Sequence, residues 1–118
     1  MRWVLVAALV PGMAMADGWQ RLTGDQITAA LTGRVVLYGG GQRQGFAADG
    51  GTVYDDSRGH WRVEGDQYCS QWPPSERWAC YGVELNGPEL NVPELNGPDI
   101  RFVAKDGSMT VGRFDDVE

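Results

Sequence analysis

The chain has 118 residues, with 16 acidic and 10 basic side chains, so its formal net charge is −6 at pH 7. A chain of this length holds one modest hydrophobic core and therefore one domain. The acidic balance argues against nucleic acid as a partner, because phosphate binding needs clusters of Lys and Arg, and against anionic membrane surfaces.

The first 16 residues have the three-part pattern of a secretory signal peptide. Arg2 supplies the positive charge, residues 3–10 are apolar, and Ala14-Met15-Ala16 fits the small-x-small rule for cleavage. The apolar run is too short to cross a bilayer as a stable helix. The alternative is a buried N-terminal helix or strand, but such an element rarely ends in Pro-Gly followed by this motif. We therefore predict cleavage between Ala16 and Asp17 and a periplasmic or secreted protein.

The mature domain is predicted to span residues 17–118, and no later stretch is long and apolar enough to cross a membrane. Loss of Arg2 would leave nine basic and 16 acidic side chains, a net charge of −7. Near its start, Thr23 and Gln26 have the spacing of a capping box. The apolar residues that follow share one helical face, and Gly33 is placed to end the helix. A short helix is therefore predicted over residues 24–32.

After the helix the hydrophobic pattern changes to period two, which is typical of strands. Residues 39–45 contain three consecutive glycines and predict a flexible loop. Trp61 and Val63 are expected to face one side of a strand and His60 the other. Strands are predicted over residues 34–38, 46–48, 52–54, 60–64, 67–72, 77–85, 100–104 and 109–114.

Seven or eight short strands joined by tight turns predict a mainly β fold. An antiparallel meander of this kind closes into a barrel or packs as a sandwich. We favour a small up-and-down barrel with the one short N-terminal helix near one end, because glycines in and beside the strands permit the coiling that closure needs.

The two cysteines, Cys69 and Cys80, lie on consecutive predicted strands. In an oxidising compartment an even count of cysteines indicates a disulfide, and antiparallel neighbours come within bridging distance. The competing interpretation is a zinc site, which needs more Cys or His ligands than the single histidine, His60, supplies. We predict a cross-strand disulfide without a redox role, because catalytic pairs are usually spaced C-x-x-C.

Residues 84–98 are three tandem pentads that read ELNGP-ELNVP-ELNGP. With two units deleted, the chain reads as a strand, an Asn-Gly turn and a strand, which is a strong hairpin signal. We interpret the repeat as an insertion in a hairpin loop, where extra length costs little. The alternative is a binding loop for a basic or metal-bearing partner.

No arrangement of residues predicts a catalytic site, a metal site or a cofactor. A nucleophilic triad would need a free Ser or Cys beside His60, and neither acidic cluster has the spacing of a calcium loop. The segment from Trp61 to Tyr81 contains five aromatic residues, both ends included, and we expect them mainly to build the core. The alternative is a ligand pocket at a barrel mouth, for which the candidate residues are Trp72, Trp78 and Tyr81.

Residues 59–83 read GHWRVEGDQYCSQWPPSERWACYGV. This segment resembles a pattern, G-x-W-x-V-x-G-D-x-x-C-x-x-W followed by C-Y-x-V, of small exported bacterial β-barrel proteins. The similarity extends to the helix near Thr23 and to the final hairpin at Asp106-Gly107, and it implies a fold without implying an activity. The pentads are not part of it.

Residues 61–69 are also similar to the W-x-L-x-G-D-x-x-C segment of Inh-type metalloprotease inhibitors, which are small eight-stranded periplasmic barrels with one disulfide. In that family the partner cysteine precedes the segment, whereas Cys80 follows it. The N-terminal segment of those inhibitors enters the protease cleft, and residues 17–21 would be its counterpart.

The sequence therefore predicts an exported, non-enzymatic, monomeric domain of the bacterial envelope that binds a small ligand or an envelope protein, or serves a structural role. The alternative function is inhibition of a periplasmic protease or hydrolase. Nucleic acid is not an expected partner, and the chain is not expected to span a membrane.

Overall fold

The structure is a computed structural model that describes residues 18–86 and 99–115. The predicted signal peptide and its cleavage site lie outside the described residues. Within them the chain forms nine strands and one helix. In chain order these elements are β1 (Trp19–Arg21), α1 (Gly24–Leu31), β2 (Val35–Tyr38), β3 (Arg43–Phe46), β4 (Gly51–Tyr54), β5 (Ser57–Glu64), β6 (Gln67–Gln71), β7 (Trp78–Asn86), β8 (Asp99–Val103) and β9 (Met109–Phe114).

Strands β2 to β9 form a closed antiparallel barrel. Each pairs with the next along the chain, and β9 pairs back with β2 through Val36↔Phe114 and Tyr38↔Gly112. The small up-and-down barrel with one short helix, predicted from the hairpin pattern with seven or eight strands, is therefore confirmed, and it has eight strands. We call the end with turns 39–42, 55–56, 72–77 and 104–108 the open end, and the opposite end, where α1 lies, the helix end.

Helix α1 begins where the capping box predicts. The Thr23 hydroxyl accepts from the Gln26 backbone N–H, and the Gln26 side chain accepts from the Thr23 N–H. The Gly24 N–H also donates to Asp66 Oδ1 at 2.7 Å, so a carboxylate lies at the positive end of the helix. A Cβ at Gly24 would lie 2.1 Å from the Gly65 carbonyl oxygen. Only glycine therefore allows α1 to start against the β5–β6 turn.

Two sequence predictions about loops are wrong in part. The loop predicted over residues 39–45 ends at residue 42, because Gly45 pairs with both Val35 and Val53 inside the sheet. The strand predicted over 46–48 ends at Phe46, and Ala47 begins the turn to β4, with its N–H donating to the Gly51 carbonyl. Glycines and a buried glutamine gave β3 the composition of a loop.

Strand β1 was not predicted, and it extends the sheet along β7. Strand β6 pairs with the first half of β7, whereas β1 pairs with its second half through Trp19↔Asn86 and Arg21↔Glu84. The first three residues of the pentad repeat, Glu84 to Asn86, therefore belong to the barrel.

An ion cluster on the outer surface fastens β1 to the barrel. The Glu84 carboxylate accepts from Arg21 at 3.2 Å and from Arg101 at 2.6 Å. The Glu84 and Arg101 side chains are 10% and 16% exposed, whereas that of Arg21 is 53% exposed. The Arg101 guanidinium also lies 4.2 Å from the centre of the Trp19 ring. The cluster thus joins β1, β7 and β8.

The predicted disulfide is confirmed. Cys69 and Cys80 are directly opposed residues of β6 and β7, and their sulfur atoms are 2.00 Å apart. The bridge lies on the outer face of the barrel, because the neighbouring Tyr68 and Tyr81 point inward. Cys69 is fully buried, and Cys80 is half-buried.

The remaining pentad residues, 87–98, lie outside the described residues. The strands that flank them are paired up to Asn86↔Asp99. Deletion of residues 89–98 would join this last pair through Gly87 and Pro88, a two-residue connection of the length that hairpins favour.

We therefore expect the protein without residues 89–98 to keep its barrel and to melt within a few degrees of the full chain. Circular dichroism and thermal melting measure both properties. Loss of the cooperative transition in this variant would show that the repeat is structural.

Candidate functional site

The interior of the barrel is divided into a filled half and an open half. At the helix end, apolar side chains from α1 and the strands form a close-packed core. Its members include Leu22, Ile27, Leu31, Val36, Phe46, Trp61, Val83, Leu85, Ile100 and Phe114. At the open end the interior holds a cavity of about 510 Å³. Eight-stranded barrels have room either for packed side chains or for one small ligand, and this barrel combines the two.

Six of the twelve residues that line the cavity are aromatic. The cavity is lined by Tyr38, Gln44, Tyr54, Ser57, Arg58, Tyr68, Ser70, Trp72, Pro73, Tyr81, Phe102 and Thr110. Tyr68 lies at the boundary with the core, since its ring centre is 5.7 Å from that of Phe46 and 6.0 Å from that of Tyr81. Rings held by several neighbours give a wall that is formed before any ligand arrives.

Trp72 closes one side of the mouth. Its ring meets Tyr54 edge to face, with centres 6.3 Å apart, and its indole N–H donates to Ser70 Oγ at 3.1 Å. A Cβ at Gly59 would lie 2.6 Å from this ring. The absence of a side chain at Gly59 is therefore what lets the ring lie against β5.

A buried hydrogen-bond network crosses the cavity and is centred on Gln44. Tyr38 donates to Gln44 Oε1 at 2.7 Å, and Gln44 Nε2 donates to Tyr68 Oη at 3.0 Å and to Thr52 Oγ1 at 2.9 Å. Thr52 in turn donates to the Gly45 carbonyl. All the hydrogen-bonding atoms of the Gln44 amide are thus engaged, which is what burial of an amide requires.

The buried tyrosines are held in their neutral form. Burial raises the pKa of Tyr38 above its ordinary value, and the neighbouring Tyr68, Tyr54 and Tyr81 raise it further. Burial also raises the pKa of Tyr68, against the hydrogen bonds from Ser70 and Gln44 that favour the phenolate. At neutral pH both groups are therefore uncharged hydroxyls.

Four hydroxyl groups near the mouth are available to a ligand. In residues 18–86 and 99–115, no protein group is hydrogen bonded to the side-chain hydroxyls of Tyr54, Ser57, Tyr81 or Thr110. Tyr54 and Tyr81 are half-buried, whereas Ser57 and Thr110 are exposed. These groups add hydrogen-bonding capacity to a wall in which half of the residues are aromatic.

Two of the three aromatic residues that were predicted as candidates for ligand binding lie together in the cavity wall. Trp72 and Tyr81 line the cavity. Trp78 lies on the outer face instead, where the Arg62 guanidinium is 3.8 Å from its ring centre. Trp61 belongs to the core, and its indole N–H donates to the Ala47 carbonyl. His60 is exposed on the outer face, as the alternation of β5 predicted.

Sequence reasoning missed most of the cavity lining, including Tyr38, Gln44, Tyr54 and Phe102. The available signal was the run of hydroxyl and amide side chains at inward-facing positions near the ends of several strands. That signal becomes visible only when the register of all eight strands is known, because no strand of the barrel contributes more than two such residues.

One group of potential metal ligands occurs within the described part of the chain. The Glu64 carboxylate lies close to the sulfur atoms of Cys69 and Cys80. Both sulfurs are bonded to each other, so neither is a thiolate that can coordinate a metal. The Glu64 carboxylate is paired with Arg62. This group therefore offers no cation site while the disulfide is intact.

In the described ranges, no helix has the length and apolar character needed to cross a membrane. The chain matches no protein-family model, no curated protein and no solved structure. The geometry of the cavity is therefore the observation from which a function can be inferred.

Proposed function

We propose that this protein is an exported, non-enzymatic barrel that binds a small molecule in the tyrosine-lined cavity. The open volume at one end of the barrel is the observation that carries the proposal. A volume of about 510 Å³ is in the range of small-molecule sites, about 300–1,000 Å³, which combine apolar walls with a few polar groups.

The composition of the wall supports binding rather than catalysis. The lining residues include no carboxylate, histidine or free cysteine within the described ranges. General acid–base chemistry needs a group that titrates near neutral pH, and burial moves the pKa of Tyr38 and Tyr68 the other way, further from neutrality.

The proposed location is the periplasm or the exterior of the cell, after cleavage between Ala16 and Asp17. The disulfide between Cys69 and Cys80 is compatible with an oxidising, exported location. N-terminal sequencing of the secreted protein tests the position of cleavage.

The inhibitor function receives less support. In the inhibitors, the N-terminal segment enters the protease cleft, and its counterpart here is residues 17–21. Within this counterpart, Trp19–Arg21 form strand β1, and Trp19 is 9% exposed. A segment paired along β7 would have to leave the sheet before it could enter a cleft. Small-molecule binding needs no such rearrangement.

Isothermal titration calorimetry with a panel of sugars, fatty acids, aromatic acids, alcohols and amines tests the proposal. We expect one class to bind with a 1:1 stoichiometry. Thr110→Trp would fill the cavity and should abolish binding. Val111→Trp places the same ring on the outer face of β9, where Val111 is 47% exposed, and should leave binding intact.

Two results would contradict the proposal. One is the absence of binding across the whole panel at millimolar concentration. The other is equal affinity of the Thr110→Trp and Val111→Trp variants for the ligand, which would place the binding site elsewhere. Circular dichroism confirms that both variants are folded.

A further inference from the structure

The polar groups of the cavity are unequally divided between donors and acceptors. The inward side chains of Gln44, Tyr38 and Tyr68 are already engaged with one another. The remaining groups at the mouth are hydroxyls, which donate as well as accept, together with Arg58, which only donates. A ligand rich in acceptor atoms therefore satisfies this lining better than one rich in donors.

Arg58 is the single charged residue among those that line the cavity in the described structure. It also lines a groove on the outer surface, so it lies at the rim between the two. No ion pair holds its guanidinium within residues 18–86 and 99–115. From the rim, the long side chain can turn toward an anion in the mouth.

The carboxylates nearest to Arg58 in the chain face away from the cavity. Asp55 and Asp56 form the β4–β5 turn and line a separate outer depression together with Arg43. The Asp55 carboxylate accepts from the Arg43 backbone N–H at 3.2 Å. Arg58 is therefore the charge at the rim that also lines the cavity, and the other lining residues of the described structure are neutral, whereas the protein as a whole is acidic.

We infer that the ligand of this cavity is a small planar aromatic monocarboxylate, with its ring among the tyrosines and its carboxylate at Arg58. This inference rests on the proposed function and specifies its ligand class. Offset and edge-to-face contacts with Tyr54, Trp72 and Tyr81 suit a planar ring. A guanidinium binds a carboxylate through two parallel hydrogen bonds.

Three probes that share one carbon skeleton test the head group: trans-cinnamate, cinnamyl alcohol and cinnamylammonium. We expect calorimetry at pH 7 to give cinnamate an affinity at least tenfold above that of the alcohol, and to detect no binding of the ammonium compound. The cinnamate affinity should also fall as salt is added, because its charge pairs with an exposed guanidinium.

Arg58→Gln should weaken cinnamate about tenfold and leave the alcohol unchanged. Arg77→Gln is the matched control, because Arg77 is an exposed arginine at the same end of the barrel that does not line the cavity. It should leave all three affinities unchanged.

Equal affinities for the three head groups, or an Arg58→Gln variant that binds cinnamate as well as the original protein, would overturn the inference. So would a failure of cinnamate to bind. In each case the proposed function still stands if another class in the wider panel binds and Thr110→Trp abolishes that binding. Failure of the whole panel overturns both.

Discussion

Reduction of the Cys69–Cys80 disulfide should lower the melting temperature of the protein by roughly 15 °C. The bridge joins residues 11 apart in sequence, and closing a loop of that size removes about 3 kcal/mol of chain entropy from the unfolded state. Domains of this length have a total stability of only about 5–15 kcal/mol. The bridge is therefore a large part of what keeps the barrel folded.

Thermal melting with and without a thiol reductant measures this effect. The matched control is the double variant Cys69→Ala, Cys80→Ala, which should melt near the temperature of the reduced protein and should not respond to reductant. A melting temperature of the original protein that reductant leaves unchanged would contradict a stabilising bridge, provided that thiol titration shows the cysteines to be reduced.

Replacement of Glu84 by Ala should lower the free energy of unfolding by about 3 kcal/mol. The Glu84 carboxylate is the anion between Arg21 and Arg101, and the side chain of Arg101 is 16% exposed. Loss of the carboxylate removes the anion that accepts hydrogen bonds from both arginines, and the Arg101 side chain is largely buried. The contact of Arg101 with the Trp19 ring does not need the carboxylate and remains in the variant.

Urea unfolding of Glu84→Ala and Glu64→Ala compares a buried carboxylate with an exposed one. Glu64 pairs with Arg62 on the same outer face, and both side chains are about half exposed, at 48% and 50%. Exposed pairs contribute at most about 1 kcal/mol. An equal decrease in the free energy of unfolding of the two variants would show that the position of Glu84 between two arginines confers no special stability.

Much of the fold was predictable from local sequence patterns. The capping box at Thr23 placed the start of α1, and the alternation around Trp61 gave the orientation of β5. The disulfide followed from two cysteines on neighbouring strands. In each case the structure depends on residues close together in the sequence, because helix caps, strand alternation and hairpins are formed by short segments of the chain.

The features that escaped prediction depend on contacts between distant residues. Strand β1 has only three residues, too few to show a period, and it is held by pairing with β7 more than 60 residues away. Gln44 resembles a loop residue in sequence, and its burial is explained by its bonds to Tyr38, Thr52 and Tyr68 on other strands. The filled and open halves of the barrel likewise result from the relative register of the strands.

The position of β1 also bears on how this protein stays apart from other copies of itself. Strand β7 extends beyond its neighbour β6, and its second half would otherwise present unpaired backbone N–H and C=O groups to solvent. Such an edge is a template on which a strand from another molecule can add, and it leads to aggregation. By covering that edge, β1 protects the barrel from self-association through its backbone.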